Sequence, residues 1–537
     1  MGHHSSLSRR EILGSIATVG SGTLLLPLRM AGGQGSGAPA SGVMRGTVRD
    51  GATGKPVAAK IRVTGPTGEL YWPVSAIRTM PKSPSRRYFY VRGSFEIAVP
   101  PGTYAVEAVR GICHDVVTDY VTVDPGSVRA FDLKVPVLLD LRRLGWYSGN
   151  THTHYALEIE EQPDDRLRMV PPAEALDVSV LSYALRRRLP YPSNRFPIGR
   201  LPGFAREGTL VDMGQETRND GGTTRHGYGH CLFVNLPRLV EPVSTGVLAD
   251  DEAPDFPTVS MLCAEARRIG GTTIWCHNGL GLESPVAVAL GHVDAFNVAD
   301  GLNANYERYY RLVNCGFHLA LSTGTDWWIY DHNRVFVQID GDFTYEAWIA
   351  GLRKGRTFVS NGPLVTLTVN GEGPGATLHA SAPVKVSARA LSRVPFDRLE
   401  IVRDGQVIAD QPARIPVERS ERRRPGVDVL DPPSISIREA AMDIEIPMER
   451  SGWLAARVTG GAKTHAGYPA FAHASPVYVK VEGTAARRAE DAGAFVDELE
   501  ESSRLIHKRC KFRSDADKAV ALGRFEEGRS LFARLVK

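Results

Sequence analysis

The chain has 537 residues, of which 42% are hydrophobic and 8% aromatic. This length and composition can supply several hydrophobic cores, so we expect three or four domains rather than one. The 64 basic and 60 acidic side chains are spread along the chain, and the net charge of +4 argues against a nucleic-acid partner. The 6 cysteines are scattered without a Cys-x-x-Cys spacing, and we interpret them as buried thiols.

Residues 1–40 have the features of an export signal. The run SRREIL at 8–13 is followed by an uncharged, weakly apolar segment and then by Ala-Pro-Ala at 38–40. This order resembles a twin-arginine signal peptide with a small-residue cleavage site. The apolar segment is too short and too rich in Gly and Ser to favour a membrane span. We therefore expect a periplasmic or secreted protein with no membrane anchor after signal cleavage.

Residues 42–138 alternate apolar and polar side chains in short runs separated by Gly, Pro and Asp. This pattern is typical of strands and turns, and it predicts a small β-sandwich. The segments GTVRDGATGKPVAAKIRV and FEIAVPPGTYAVEAV resemble the carboxypeptidase-regulatory-like β-domain found beside many secreted hydrolases. That resemblance implies a domain that packs against or positions its neighbour, and we assign it no chemistry.

Predicted strands and helices alternate between residues 139 and 361. Such alternation indicates parallel strands covered by helices, and at this length the strands can close into a barrel. In a barrel of this kind, functional side chains gather at the carboxyl ends of the strands. The predicted strands cover 146–152, 178–183, 210–216, 230–235, 272–277, 295–299 and 319–325, and the predicted helices cover 172–177, 258–269, 305–315 and 344–354.

Six polar residues stand at the ends of these predicted strands. Because side chains alternate along a strand, the two histidines of the run THTH point to the same face. Imidazoles and carboxylates together suit zinc, manganese or iron, and one carboxylate can bridge two cations that activate a water molecule. Five of the six end a predicted strand and one, His230, begins its strand; the set is His152, His154, Glu216, His230, His277 and Asp326.

The order of these motifs resembles the polymerase-and-histidinol-phosphatase (PHP) superfamily, and within it the CehA/McbA-type metallohydrolases named after bacterial carbaryl hydrolases. The resemblance covers roughly residues 145–370 and implies a multidomain α/β plus all-β protein. Its expected fold is a distorted PHP-type (β/α)7 barrel flanked by two β-sandwich domains and a C-terminal helical tail. The motifs are GNTHTH, GQE followed by GYGHCLFVNL, TTIWCHNG, LSTGTDWW and YEAWIAGLRKGRTFVSNGPLVTLTVNG.

The resemblance implies two divalent cations, with Glu216 as the bridge between them. A mononuclear centre stays open. Other PHP members hold a third metal, but here the corresponding positions read LSYA at 181–184 and DWW at 326–328, so we expect the third site to be absent. The first implied ligand set is His152, His154, Glu216 and Asp326, and the second is Glu216, His230 and His277.

Neighbouring residues leave the outline of the site open. His226 lies in the run RHGYGH and could exchange roles with His230. His332 could stand in for the missing third-site histidine, with loop exposure as the alternative. Arg334 begins the run RVFVQID, where its guanidinium would either face the anionic part of a substrate or end a strand without further function. The tryptophans at 327–328 either line an aromatic pocket or pack under the barrel rim.

Residues 362–482 return to alternating strands and predict a second β-sandwich, broken by a charged, Pro-rich loop at 414–433. Residues 484–537 predict two amphipathic helices that dock either on the body or on another subunit. Oligomerisation through these helices therefore stays open.

We expect an exported metal-dependent hydrolase that uses metal-bound hydroxide on a small-molecule phosphoester, carbamate, ester or amide. In this hypothesis Asp326, Glu216 and Arg334 are the catalytic candidates, with Asp326 or a neighbouring histidine moving the proton. One alternative is a catalytically silent exported binding protein with a structural metal centre. Another is an assembly role centred on the C-terminal helices.

Overall fold

The computed structural model of the chain describes residues 41–79, 88–155, 163–186, 191–220, 227–301, 303–327, 333–380, 383–415, 437–464, 467–486 and 488–537. The predicted signal peptide, His226, Trp328, His332 and most of the charged loop at 414–433 lie outside these ranges. Strand makes up 40% and helix 24% of the structure. Within the described ranges, no helix has the length and apolar character needed to cross a membrane.

Residues 42–135 form eight strands that enclose one hydrophobic core. In chain order they are β1 (Gly42–Asp50), β2 (Ala58–Thr64), β3 (Leu70–Tyr71), β4 (Phe89–Arg92), β5 (Ser94–Val99), β6 (Gly102–Val109), β7 (Val117–Val123) and β8 (Val128–Val135). One sheet places β1 between antiparallel β5 and parallel β8, and the other has the order β3-β2-β6-β7 with β4 also on β2. Every second side chain of β5 is buried, as expected when one face of a strand covers a core.

The central region mixes strands with short helices. Its strands are β9 (Trp146–Asn150), β10 (Thr153–His154), β11 (Val178–Tyr183), β12 (Gly199–Arg200), β13 (Leu210–Asn219), β14 (Gly229–Val234), β15 (Ser244–Thr245), β16 (Thr272–Trp275), β17 (Ala295–Asn297), β18 (Ala320–Ser322), β19 (Asp326–Trp327), β20 (Arg334–Gln338) and β21 (Thr357–Ser360). Its α-helices are α1 (Pro163–Ala173), α2 (Val259–Arg268), α3 (Ser284–Ala289), α4 (Glu307–Asn314) and α5 (Tyr345–Arg353). Single 3-10 turns cover Leu141–Leu144, Pro192–Arg195, Pro202–Phe204, Gly246–Leu248 and His277–Gly279.

Strand directions overturn the predicted (β/α)7 barrel. β9, β11 and β13 are parallel neighbours, and so are β16, β17 and β18. However, β14 lies antiparallel between β13 and β16, and β20 lies antiparallel beside β9. A (β/α) barrel requires parallel strands joined by helical crossovers of a dozen or more residues. The connection from β13 to β14, residues 220–228, is too short for such a crossover.

The central sheet continues into the C-terminal strands. These are β22 (Leu364–Val369), β23 (Thr377–His379), β24 (Val384–Ser392), β25 (Arg398–Arg403), β26 (Gln406–Pro412), β27 (Arg438–Ile446), β28 (Gly452–Lys463), β29 (Pro469–Ala474) and β30 (Val477–Lys480). β20 pairs with β21, β21 with β29, β29 with β28 and β28 with β25, all antiparallel. A separate sheet has the order β22-β24-β27. The result is a large mixed sheet shared by the two regions.

Two long helices complete the chain, α6 (Ala489–Arg509) and α7 (Asp515–Val536). The side chains of Phe495, Leu499, Phe525 and Phe532 are fully buried in the same hydrophobic cluster as the central strands. Each such side chain contributes about 1.5–3 kcal/mol when it leaves water. Of the two docking surfaces left open by the sequence, the helices therefore cover the body of the chain itself.

Candidate metal centre

Six predicted metal ligands converge around the carboxylate of Glu216. They come from the segment after β9, from β10, β13 and β14, from the residue pair after β16, and from β19. The side chains of His152, His154 and Glu216 are at most 1% exposed. Asp326 is 17% exposed, and His230 and His277 are each 11% exposed. Solvent therefore reaches the cluster from the side of these last three residues.

His152 and His154 form the first imidazole pair. Their Nε2 atoms lie 3.0 Å apart, which confirms that the two rings point to one face. The outer nitrogen of His152, Nδ1, contacts both carboxylate oxygens of Asp300 at 2.9 Å, and Nδ1 of His154 contacts the carbonyl oxygen of Ser182 at 2.9 Å. Asp326 completes this side of the cluster, with Oδ1 at 3.3 Å from Nε2 of His152.

His230 and His277 form the second imidazole pair. Nδ1 of His230 lies 3.1 Å from Nε2 of His277. The outer nitrogen of His230, Nε2, contacts Oδ1 of Asp220 at 2.7 Å. The outer nitrogen of His277, Nδ1, contacts the backbone oxygen of Asp300 at 3.3 Å. His230 thus takes part from the start of β14, as its position in the sequence required.

Glu216 lies between the two imidazole pairs and faces both. Its Oε2 is 2.9 Å from Nε2 of His154, and its Oε1 is 3.1 Å from Nδ1 of His230. Oε1 is also 3.7 Å from Nε2 of both His152 and His277. Glu216 is therefore the acid that lies near all four imidazoles.

The backbone around His152 fixes the first pair against Asp326. β10 runs parallel to β19, with Thr153 opposite Asp326, and the amide of Asp326 donates to the carbonyl of His152 at 2.9 Å. Asn150 accepts from the amide of His152 at 3.1 Å. Gly324 packs so closely that a Cβ there would lie 2.5 Å from Cβ of His152, so only glycine fits. These contacts explain why residues far apart in sequence meet.

The hydrogen-bonding pattern of the rings is compatible with a cation inside the cluster. The outer nitrogen of every one of the four rings faces a carboxylate or carbonyl oxygen, so the outer nitrogen carries the proton. In a neutral ring the inner nitrogen then presents a lone pair, and the inner nitrogens face each other and the acids. Oε2 of Glu216 is buried, with Nε2 of His154 at 2.9 Å and Nε of Arg218 at 3.4 Å. Facing lone pairs repel unless a proton or a metal cation lies between them.

The protonation equilibria of the cluster reflect the same surplus of acceptors. Burial opposes a charged ring at His152, but the carboxylates of Asp300 and Asp326 outweigh it and raise the pKa of His152 well above its ordinary value. Burial also opposes charge at His230, yet hydrogen bonds to Asp220 and Glu216 raise its pKa to about 9. Protons and a metal cation therefore compete for the same lone pairs.

Asp300 is a site residue that the sequence analysis missed. Besides holding His152, its carboxylate accepts from the backbone amide of His277 at 3.3 Å. Burial works against its charge, but the neighbouring rings of His152 and His277 keep the pKa of Asp300 lowered. It directly follows the predicted strand 295–299, so the strand-end rule that identified Asp326 would also have found it.

Arg218 was missed as well, although it stands two residues after Glu216 and so on the same face of β13. Its Nε lies 3.4 Å from Oε2 of Glu216, and its Nη2 donates to the carbonyl of Leu185 at 3.1 Å. Burial raises the pKa of Glu216, but Arg218 and the surrounding imidazoles outweigh burial and hold that pKa well below its usual range. A fixed positive charge therefore lies beside the Glu216 carboxylate.

Two aromatic rings flank the first imidazole pair. The ring centroids of Trp327 and Tyr191 lie 5.3 Å and 5.8 Å from that of His154, and 5.6 Å from each other. Of the two roles left open for Trp327, these contacts favour a wall of the site. Ser182 lies in the run LSYA, which lacks the histidine of the third metal site. Its backbone oxygen contacts Nδ1 of His154.

Arg334 is engaged elsewhere. It is buried at the start of β20, where Nη1 donates to the carbonyl of Glu174 at 2.6 Å and Nη2 lies 3.7 Å from the Glu174 carboxylate. Nζ of Lys60, on β2, lies 2.8 Å from the same carboxylate. These contacts fit the strand-end alternative, and they make Arg334 part of a buried ion cluster between the N-terminal and central sheets.

The donor atoms form three candidate metal-binding groups among the described residues. Within each group all donor atoms lie within 4.8 Å of one another. Cys276, a buried free thiol as the sequence predicted, belongs to two of the groups. The groups are His152 with His154 and Asp326, Glu216 with Cys276 and His277, and His152 with Cys276 and Asp300. This arrangement of nitrogen, oxygen and sulfur donors is compatible with metal binding.

Comparisons with known proteins give no information about function. No protein-family model matches the chain, and no curated protein matches it. Among solved structures, one similarity is to GBS52, the minor pilin of the Gram-positive pathogen Streptococcus agalactiae, with 12% identity and a TM-score of 0.16. The match covers 19% of this chain and 47% of the pilin chain. A TM-score this low supports no inference about fold or function.

Proposed function

We propose that the protein is a metal-dependent hydrolase acting on a small-molecule phosphoester, carbamate, ester or amide. One observation carries the proposal: Glu216 lies buried between two imidazole pairs and faces an inner nitrogen of each, at 2.9 Å and 3.1 Å. In a cluster with only a structural role, the carboxylate and the inner nitrogens would be paired with hydrogen-bond donors. In a metal site these acceptors face one another, because they bind the cation between them.

The ligand sets divide at Glu216. His152, His154 and Asp326 would hold one cation with Glu216, and His230 and His277 would hold a second on the other side of the same carboxylate. Zinc, manganese and iron all accept this mixture of imidazole and carboxylate. Divalent cations bound there would acidify water and polarise a phosphoryl or carbonyl oxygen, which is the chemistry that hydrolysis needs.

The protein's own groups supply the remaining functions. Asp326 is the acid of the cluster with the greatest solvent access, so we assign it the proton transfer between the reacting water and bulk solvent. Trp327 and Tyr191 flank His154 and would bound the substrate on that side. Arg218 adds a fixed positive charge that favours substrates with an anionic or strongly polar reacting group.

The motif order gives this proposal support from the sequence. The motifs from GNTHTH to LSTGTDWW resemble the CehA/McbA-type branch of the PHP superfamily, whose members are metallohydrolases. The support concerns the ligand set and its order along the chain, since the strands do not form the barrel of that superfamily.

Metal analysis and a substrate panel test the proposal. Metal content is measured on purified protein, followed by hydrolysis of aryl phosphates, carbamates and esters with and without a chelator. We expect bound divalent metal and turnover that the chelator abolishes. His152→Ala should lose this turnover, whereas His507→Ala, an exposed histidine on α6, should keep it. Full metal occupancy without turnover on any substrate would instead favour the binding-protein alternative.

Export is part of the proposal because of the signal-like residues 1–40. Replacing Arg9 and Arg10 together with lysine should retain the protein inside a bacterium that has a twin-arginine export route. Fractionation of the cells measures this, and unchanged export of the variant would contradict the proposed route.

A further inference from the structure

Cys276 stands apart from the other cysteines of the chain by its surroundings. It directly precedes His277 after β16, and its side chain is buried. Its sulfur belongs to two candidate metal-binding groups, one with Glu216 and His277 and one with His152 and Asp300. None of the other five cysteines belongs to such a group in the described ranges.

The thiol of Cys276 has a long contact with a backbone carbonyl and a side-chain contact with His152. Cys276 Sγ lies 3.9 Å from the carbonyl oxygen of Ile274, at the long limit for a thiol donor. By contrast, Sγ of Cys231 lies 3.3 Å from the same carbonyl oxygen. A cation bound to the sulfur would replace this long contact and the contact with His152.

A carboxylate and an imidazole lie beside this thiol. Oε1 of Glu216 is 3.7 Å from Nε2 of His277, and donor atoms of Glu216, Cys276 and His277 all lie within 4.8 Å of one another. The side chain of Glu216 is 1% exposed, so these donors meet in the interior of the protein. A cation bound among them would be held by three donors of the chain.

We propose that Cys276 is a thiolate ligand of the cation held on the Glu216–His277 side of the centre. This inference rests on the metal centre of the proposed function and adds a ligand to it. On binding, the sulfur–hydrogen bond breaks, the proton leaves to solvent, and the sulfur lone pair forms the bond to the cation.

The two cation positions then differ in chemical softness. The position of His152, His154 and Asp326 has only nitrogen and oxygen donors. The position of Glu216, Cys276 and His277 adds sulfur, which favours zinc and its probe cations cobalt and cadmium over manganese or magnesium. A centre of this kind would bind zinc first at the sulfur-containing position and tolerate a harder cation at the other.

Cobalt substitution tests the inference without relying on turnover. Chelator-treated full-length protein is titrated with Co²⁺ while the near-ultraviolet charge-transfer absorption of a cobalt–thiolate bond is recorded. We expect this band to appear and to saturate with a single equivalent of cobalt. Cys276→Ser should abolish this band. It should also weaken the affinity for that cation by more than the roughly 10–100-fold caused by losing a hydrogen-bonding partner of a metal ligand. The matched control Cys263→Ser, another fully buried thiol, should keep the band.

A second measurement on the unaltered protein covers the case in which Cys276→Ser does not fold. X-ray absorption on the zinc-loaded protein should reveal a sulfur neighbour at about 2.3 Å from zinc. Bound cobalt and zinc with neither sulfur signal would overturn the inference while leaving the proposed hydrolase intact. A protein that binds neither cation would remove the metal centre itself, and with it both proposals.

Discussion

Two buried clusters of charged groups in this molecule can be compared directly. In the ion cluster of Lys60, Glu174 and Arg334, cations contact an acid, with Nζ of Lys60 2.8 Å from the Glu174 carboxylate. In the cluster around Glu216, acceptors face acceptors across 3 Å or so, as the His152–His154 contact of 3.0 Å illustrates. The first cluster sets two cations of the chain against one acid, whereas the second sets a single arginine, Arg218, beside two acids and four imidazoles.

This difference separates a structural role from a functional one. A buried ion pair joins elements and is costly to break, because removing one partner leaves the other charge uncompensated. A buried set of oriented lone pairs contributes little to the stability of the fold by itself, but it can bind a cation. Burial of charge is therefore a weak indicator of function, and the match between donors and acceptors is a stronger one.

The largest expected effect comes from removing the negative charge of the bridge. Glu216→Gln keeps the shape of the side chain but cannot hold two cations, so we expect turnover to fall at least about 10³-fold, roughly 4 kcal/mol in the barrier. Metal content should fall as well. Hydrolysis assays and metal analysis of the purified variant measure both changes. A variant that keeps its turnover and its metal content would contradict the bridging role.

Disrupting the cluster of Lys60, Glu174 and Arg334 should lower the stability of the fold and leave metal binding and turnover unchanged. Glu174→Gln leaves Lys60 and Arg334 without a buried counter-charge, and we expect the free energy of unfolding to fall by about 3–5 kcal/mol. Metal content and turnover of the folded protein should be unchanged. Denaturant unfolding measures the loss of stability, and an altered metal content in the folded variant would remove the distinction between the clusters.

The outer partner of two ligands should have a smaller effect. Asp300→Asn keeps an oxygen near Nδ1 of His152 but removes the charge that orients the ring. We expect metal affinity to weaken about 10–100-fold, or roughly 1.4–2.8 kcal/mol. Competition titrations with a chromophoric chelator give the affinity. An unchanged affinity would mean that Asp300 has no role in holding the ring.

The smallest expected effect is a pH dependence of the metal-free protein. The pKa of His230 is raised from 6.5 to about 9, so its contribution to stability is complete below pH 6.5 and is lost as the pH rises through about 9. With its partner Asp220 near solvent, we expect this loss to amount to about 1–2 kcal/mol. Metal-loaded protein should not lose stability over this range, because the ring is then already deprotonated. Unfolding measurements of both forms at pH 6, 7.5 and 9 test the sign, and a metal-free protein that gains stability with pH would refute it.

Local rules selected the candidate ligands from the sequence because each rule acts over a few residues. The two-residue period of a strand placed His152 and His154 on one face, and predicted strand ends selected Glu216, His277 and Asp326. The observed strands differ at two of these positions, because Glu216 lies inside β13 and Asp326 begins β19. Every predicted strand of the central region overlaps an observed strand, and α2, α4 and α5 correspond to predicted helices. The order of the motifs brought the same residues together without knowledge of the fold.

Strand direction could not be predicted by the same means, because alternating patterns look alike whether the next strand runs parallel or antiparallel. The Asp-Gly-Gly run at 220–222, directly after β13, was a turn signal that favoured a hairpin to β14. The helix predicted at 172–177 was also wrong, because the observed helix α1 ends at Ala173. The partner of Arg334 was also out of reach, since it lies 160 residues away.

Anomalous diffraction from crystals grown with zinc tests the central claim most directly. We expect anomalous peaks on the two sides of the Glu216 carboxylate, each about 2.0–2.3 Å from its imidazole, carboxylate or sulfur donors. Zinc bound only at other surfaces, with the four inner nitrogens still facing one another across an interior that contains no metal, would contradict it.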